Sequence, residues 1–121
     1  MERDLRERTK QFALRIIKLY SALPRRGDAQ VLGNQLLKSG TPVGAHYREA
    51  CRAKSNVDFI SKFESALQEL DETAYWLELI GEAEILPIKR LQPLHDEAEE
   101  LIAILVTIVT KVKRKSSRRI R

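Results

Sequence analysis

The chain has 121 residues, 22 Lys and Arg against 17 Asp and Glu for a formal net charge of +5, and a single cysteine. That length supports one domain with its own core, and one cysteine excludes an internal disulfide and a four-cysteine zinc site. The longest nearly apolar run, 101–109, is about half of the ~20 residues that cross a membrane, and no apolar stretch follows Met1-Glu2-Arg3-Asp4 as it does in a signal peptide, so a cytoplasmic protein with no membrane partner is expected.

Apolar residues recur at helical spacing through four segments. The first covers 4–22, with Leu5, Phe12, Ile16, Leu19 or Tyr20, and Leu23 on one face. Leu23-Pro24-Arg25-Arg26-Gly27-Asp28 breaks it, and Asp28 suits the N-cap of the next helix.

The second segment covers 29–53, with a stripe of Leu32, Leu36, Val43, Tyr47 and Ala50. Pro42 removes one backbone donor and crowds the Lys38 carbonyl. The stripe keeps its phase across the proline, which predicts a kinked continuous helix rather than a break. Gly40 and Gly44, four apart, offer a close approach to another helix.

Ser55-Asn56-Val57-Asp58 reads as a capping box with Asp in the reciprocal position. It opens a third helix over 56–81, with Ile60, Phe63, Leu67, Leu70, Ala74 and Leu77 in heptad register and Gly81 at the end.

The fourth helix covers 87–112, with Pro87 in its first turn and Pro93 close behind. Its stripe is Leu91, Leu94, Ala98, Leu101, Leu105, Ile108 and Val112. The β-branched run 101–109 would also suit a buried strand, but a lone strand has no partner in a helical chain. A helix apolar all round must be covered on more than one side. Leu101, Ile102, Ile104, Leu105, Val106, Ile108 and Val109 are therefore expected to form an oligomer interface as well as core. The expectation is an all-α, antiparallel up-down-up-down four-helix bundle over 1–112, followed by a basic, disordered tail over 113–121.

Charge is segregated along the chain. Residues 111–121 hold seven basic and no acidic residues, residues 1–62 hold 13 basic and 6 acidic, and residues 63–110 hold 2 basic and 11 acidic. Blocks of +7, −9 and +7 can pair within a bundle or between subunits.

Chemistry-bearing constellations are few. A di-iron bundle needs Glu three residues before His, twice, and here Val43 precedes His46 and Gln92 precedes His95. His46 with Glu49, and His95 with Glu99, supply two metal ligands each, which is not a site. Cys51 needs a basic neighbour to act as a nucleophile, and the expected reading is a buried or interfacial thiol. No phosphate-binding glycine loop and no nucleophile elbow are present. Neither catalytic residues, nor a metal, nor a cofactor is expected. Tyr75-Trp76 reads as core or interface, with base stacking as the alternative.

Four stretches carry a resemblance to a known family: DLRERTKQFA at 4–13, QLLKSGTPVGAHYREA at 35–50, AKSNVDFISK at 53–62 and ELDETAYWLEL at 69–79. The chain resembles the four-helix-bundle proteins encoded within intervening sequences of bacterial 23S ribosomal RNA genes, also called S23-type ribosomal proteins. Pro42 stands where that family usually has Ser, and His46 where it usually has Asn. The resemblance implies an antiparallel bundle assembled into a homo-oligomeric ring, typically a pentamer, with no established enzymatic activity and an unsettled cellular role. Accessory proteins of diversity-generating retroelements share the architecture, bind nucleic acid and dock a reverse transcriptase; that likeness is analogy.

Three functions follow as expectations. The first is binding of RNA, or of DNA, through phosphate contacts without base readout. Its residues would be Arg48, Arg52 and Lys54 at the end of the second helix and Lys111, Lys113, Arg114, Lys115, Arg118, Arg119 and Arg121 in the tail. The second is a scaffold that docks another protein on the acidic face of the third and fourth helices. The third, an enzyme, lacks a third ligand or a catalytic partner. Against all three stands a tail that only aids solubility, with the first helix's cations paired to carboxylates of the third.

Overall fold

The computed structural model describes residues 2–120, with side chains over 4–117. It is helical: α1 Glu2–Ser21, α2 Gly27–Gly40, α3 Pro42–Cys51, α4 Asn56–Glu82 and α5 Ile88–Ile120, with no strand among the described residues.

The helix junctions follow from local chemistry, in places differently from the sequence pattern. α2 starts one residue before Asp28, with extended Arg26 as N-cap and no side-chain cap. Asp28 sits in the first turn instead, where its Oδ1 accepts from the Ala29 N–H and from Arg26 Nε and its charge suits the helix N-terminus. The expected continuous helix 29–53 is divided at Thr41 into α2 and α3. Thr41 keeps helical angles, and both its N–H and its hydroxyl donate to the Leu37 carbonyl. Pro42 cannot donate to Lys38, so the hydrogen-bond ladder stops while the direction of the rod is carried on. This is why Leu36, Val43, Tyr47 and Ala50 all remain buried on one side.

Ser55 caps α4 as the capping box predicts, its Oγ accepting from the Asp58 N–H at 3.1 Å. The C-terminus departs from expectation. Gly81 lies inside the helix, and the left-handed residue is Glu84, with φ of 60°. The Ile85 N–H closes back on the Ile80 carbonyl at 3.0 Å, the wrapped ending in which glycine is usual. Gly81 serves packing: a Cβ there would meet Ile88 Cγ1 at 3.0 Å and Leu91 Cδ1 at 3.2 Å.

The rods α1, α2–α3, α4 and α5 share one core, built on Phe12, Ile16, Leu36, Phe63, Leu70, Leu77, Leu101 and Leu105, each at most 2% exposed. Glycines let α1 close on its neighbour. A Cβ at Gly40 would lie 2.7 Å from Ile16 Cγ1, and one at Gly44 would lie 3.1 Å from Thr9 Oγ1. The Thr9 hydroxyl, fully buried, is satisfied by the Leu5 carbonyl at 2.8 Å.

Contacts between successive rods rise in number on one as they fall on the other. Tyr20, Ile16 and Thr9 meet Gly33, Gly40 and Gly44. Ser39 meets Thr73, and Tyr47 meets Phe63. Glu78, Glu64 and Asn56 meet His95, Lys113 and Ser116.

Arg8 ties α1 to α5. Its guanidinium holds Glu97 through two bonds of 2.7 and 3.1 Å and reaches Glu100 at 3.2 Å. The first-helix cation thus pairs with α5, not with the carboxylates of α4. The Glu97 and Glu100 carboxylates raise the Arg8 pKa further above its ordinary value, against the opposing effect of burial. Arg8→Ala is expected to cost about 1–2 kcal/mol, the worth of a part-buried, charge-assisted pair, read as a lower denaturation midpoint at unchanged m-value.

Two expectations about the C-terminal segment are corrected. The chain after Val112 is not irregular: α5 continues to Ile120. Lys and Arg are good helix formers and favour a helix C-terminus, and the Asn56–Ser116 and Lys113–Glu64 bonds tie the last turns to α4. The expected interface set also divides. Leu101, Leu105 and Val109 are buried in the core of the same chain. Ile102, Ile104 and Ile108 are half-buried, and Val106 is 46% exposed. Only the last four retain surface for a second molecule.

Candidate nucleic-acid interface

α3 ends where the Arg52 N–H returns to Glu49 O at 3.1 Å and the Ala53 N–H to Ala50 O at 3.0 Å. This tight ending leaves Arg52 and Lys54 exposed in a short connection, while Arg48, one turn back, is half-buried. The next residue but one after Lys54 is Asn56, whose Nδ2 donates to Ser116 Oγ at 3.0 Å. That bond sets the connection beside the last turns of α5. Two basic groups about sixty positions apart in sequence therefore share one end of the molecule: Arg52 and Lys54 with the exposed Lys113, Arg114 and Lys115. Lys111 lies one turn further along α5, also exposed.

Of these, Lys113 has an acidic neighbour, Glu64, at 2.8 Å, with both side chains about half exposed. An exposed bridge of this kind contributes at most ~1 kcal/mol and is easily exchanged for another anion. Arg118 and Arg119 fall within α5, but their side chains lie outside the described residues, as does Arg121 altogether. Asn56 lies in the capping box and Ser116 in the basic block, and neither pattern in the sequence announces that the two meet.

The other singled-out residues separate. His46 Nδ1 lies 3.1 Å from Glu49 Oε1, and His95 Nε2 lies 2.8 Å from Glu78 Oε2 and 4.0 Å from Glu99. Among the described residues no group of three or more His, Cys, Asp or Glu is arranged to hold a metal ion. Of the two expected places for Cys51, buried or interfacial, the first does not hold: the thiol is exposed at the end of α3, because the core stripe of that helix runs through Tyr47 and Ala50. Tyr75 is 53% exposed, with Trp76 half-buried against the core. The two rings meet edge-on at 5.1 Å. Trp76 Nε1 is buried without a hydrogen-bond partner.

Among the described residues, Glu69 is the one carboxylate raised above its ordinary range. Burial is the largest cause and repulsion from Glu72 the second, with His46 acting in the opposite sense. A raised folded-state pKa means that the folded chain holds the proton more tightly than the unfolded one. The associated stability is present below the normal glutamate range and lost as pH rises through the shifted value. Glu69→Gln is therefore expected to raise the melting temperature at neutral pH. The gain should vanish as pH falls toward about 4, as a pair of thermal melts at the two pH values would show.

The fold and this end define a small all-helical bundle with a basic terminus. The chain belongs to the 23S rRNA-intervening sequence protein family, whose model matches residues 2–107. A crystal structure of a protein with unknown function from the S23 ribosomal protein family of Bacteroides thetaiotaomicron VPI-5482 superposes with a TM-score of 0.84 at 35% identity. The match covers 90% of this chain and 97% of that one. No curated protein matches. The family match includes Arg48, Arg52 and Lys54 and ends before Lys111. No helix among the described residues is long and apolar enough to cross a membrane.

Proposed function

We propose that the chain is a non-enzymatic, cytoplasmic, homo-oligomeric bundle that binds RNA, or another nucleic acid, by phosphate neutralisation at its basic end. The carrying observation is the Asn56–Ser116 bond, which gathers Arg52, Lys54, Lys113, Arg114 and Lys115 at one end. Two clusters too small to act alone become one cationic surface, the electrostatic footprint of backbone binding. The opposed order of contacts supports an antiparallel, up-down-up-down arrangement of the rods. The likeness to the intervening-sequence family supports a ring, a pentamer, in which several such ends repeat and gain avidity. No cofactor or metal enters this reading.

Fluorescence anisotropy with a labelled single-stranded RNA, at about 50 and 200 mM salt, tests it. Affinity should fall with salt by about 0.7 log units per log unit for each phosphate contact. Absence of binding at the lower salt would remove the proposal. A second reading, a scaffold for another protein, draws on the acidic outer face of α4 around exposed Tyr75. A defined protein partner retained after nuclease treatment would favour it.

A further inference from the structure

We propose that the apolar groove along the C-terminal half of α5 receives the acidic outer face of α4 from a second copy of the chain. The inference rests on the oligomeric reading above and names the two surfaces that meet.

The groove arises from unequal helix lengths. α5 has 33 residues and α1 has 20. Arg8 pairs with Glu97 and Glu100, and the six residues of α1 before it cover α5 only to about residue 106, at equal rise per residue. Beyond that point the described residues leave no part of α1 to face α5. What remains is a groove of about 490 Å³ lined by Ala103, Ile104, Thr107 and Ile108, with Lys111 and Lys115 on its rim. Half-buried isoleucines floor it, and both rim lysines are exposed.

Charge selects the occupant. The exposed apolar pair of α1, Leu14 at 48% and Ile17 at 44%, lies among Lys10, Arg15 and Lys18 and would set cations against the rim. The groove on its own copy fares little better, since Glu100, its one carboxylate, is already held by Arg8 at 3.2 Å. Tyr75 offers the opposite case. It is 53% exposed, and one turn before it on α4 stand Asp71 and Glu72, with Leu79 one turn after it, while Glu78 is engaged by His95 at 2.8 Å. An aromatic anchor with acidic flanks meets an apolar slot with a basic rim, the pattern of a productive contact centre. The stretch from Asp71 to Leu79 is about 12 Å long and the groove from Ala103 to Lys115 about 18 Å, so the anchor and its flanks fit within it. The two surfaces are different patches of one chain, so the contact is head-to-tail and generates a closed ring when the rotation closes. Such a contact takes Lys111 and Lys115 out of the nucleic-acid surface and leaves Arg52, Lys54, Lys113 and Arg114 to it.

Light scattering on the purified, nucleic-acid-free full chain tests this, with circular dichroism to confirm that each variant folds. The wild-type chain should give a multiple of 13.9 kDa. The groove variant K111E/K115E and the face variant D71K/E72K should each fall to the monomer mass. Mixed one to one, they should reassociate into alternating assemblies, since the native face of the first meets the native groove of the second and the reversed face of the second meets the reversed groove of the first. The chain carrying all four reversals should return to the wild-type mass. Unchanged assembly of both variants overturns the surface assignment and leaves the oligomer standing. So does a groove variant that dissociates while the face variant does not, since the groove then meets some other surface. A wild-type chain that is monomeric at every concentration overturns the oligomeric reading itself.

Discussion

Replacing Arg52, Lys54, Lys113 and Arg114 together with glutamine is expected to lower affinity for a single-stranded RNA roughly 600-fold at about 0.1 M salt. The figure follows from counterion release. Each phosphate contact contributes about 0.7 to the slope of log affinity against log salt, so four lost contacts flatten it by about 2.8. The Lys113–Glu64 bridge does not withdraw Lys113 from this count, because an exposed pair is worth little against a phosphate. Point exchange is the informative variant. Removal of 111–121 would also delete Ser116 and the bond that seats α5 beside the α3–α4 connection. Anisotropy over a salt series reads the slope directly. An unchanged slope in the quadruple variant would take the basic end out of the account, whatever the affinity.

Leu105→Ala should cost about 2–5 kcal/mol, the range for a large side chain removed from a packed core. Val106→Ala, its neighbour, should stay within about 0.5 kcal/mol in the isolated chain. The contrast comes from burial: Leu105 is fully covered and Val106 is 46% exposed. Were Leu105 a subunit contact, as the all-round apolar pattern implies, its loss would depend on protein concentration. As a core residue it lowers stability equally at every concentration. Urea denaturation at two concentrations about a hundredfold apart distinguishes these outcomes.

The segment around Leu105 shows where periodic reading drifts. A strict heptad runs Leu101, Leu105, Ile108 and Val112. The structure buries Leu101, Leu105 and Val109, with Ile108 and Val112 half-buried. A straight α-helix turns 3.6 residues at a time, so a 3.5-residue stripe slips by about 20° per heptad. Beyond the end of α1 no partner holds the seam to the heptad, and Ile104 and Ile108 turn into the groove. The same absence of a neighbour made the tail look structureless. A run of Lys and Arg offers no apolar stripe, and its helix is held by polar bonds to α4 that no pattern in the tail announces.

Local chemistry alone determined a good deal of this protein. Helical spacing of Phe12, Ile16, Leu36, Phe63, Leu70 and Leu77 defined the rods and their inward faces, because one apolar stripe per helix must be buried. Ser55 marked the start of α4, because its hydroxyl satisfies an N–H that the helix leaves open. Gly40 and Gly44 marked a close approach, because only a residue without Cβ admits Ile16 and Thr9 at that distance. Which rods touch, where α1 stops short of α5, and which cations share an end were decided only in three dimensions. Those outcomes depend on relative helix length and on single bonds such as Arg8–Glu97 and Asn56–Ser116. Their partners lie 60 to 89 positions apart, beyond the reach of any local period.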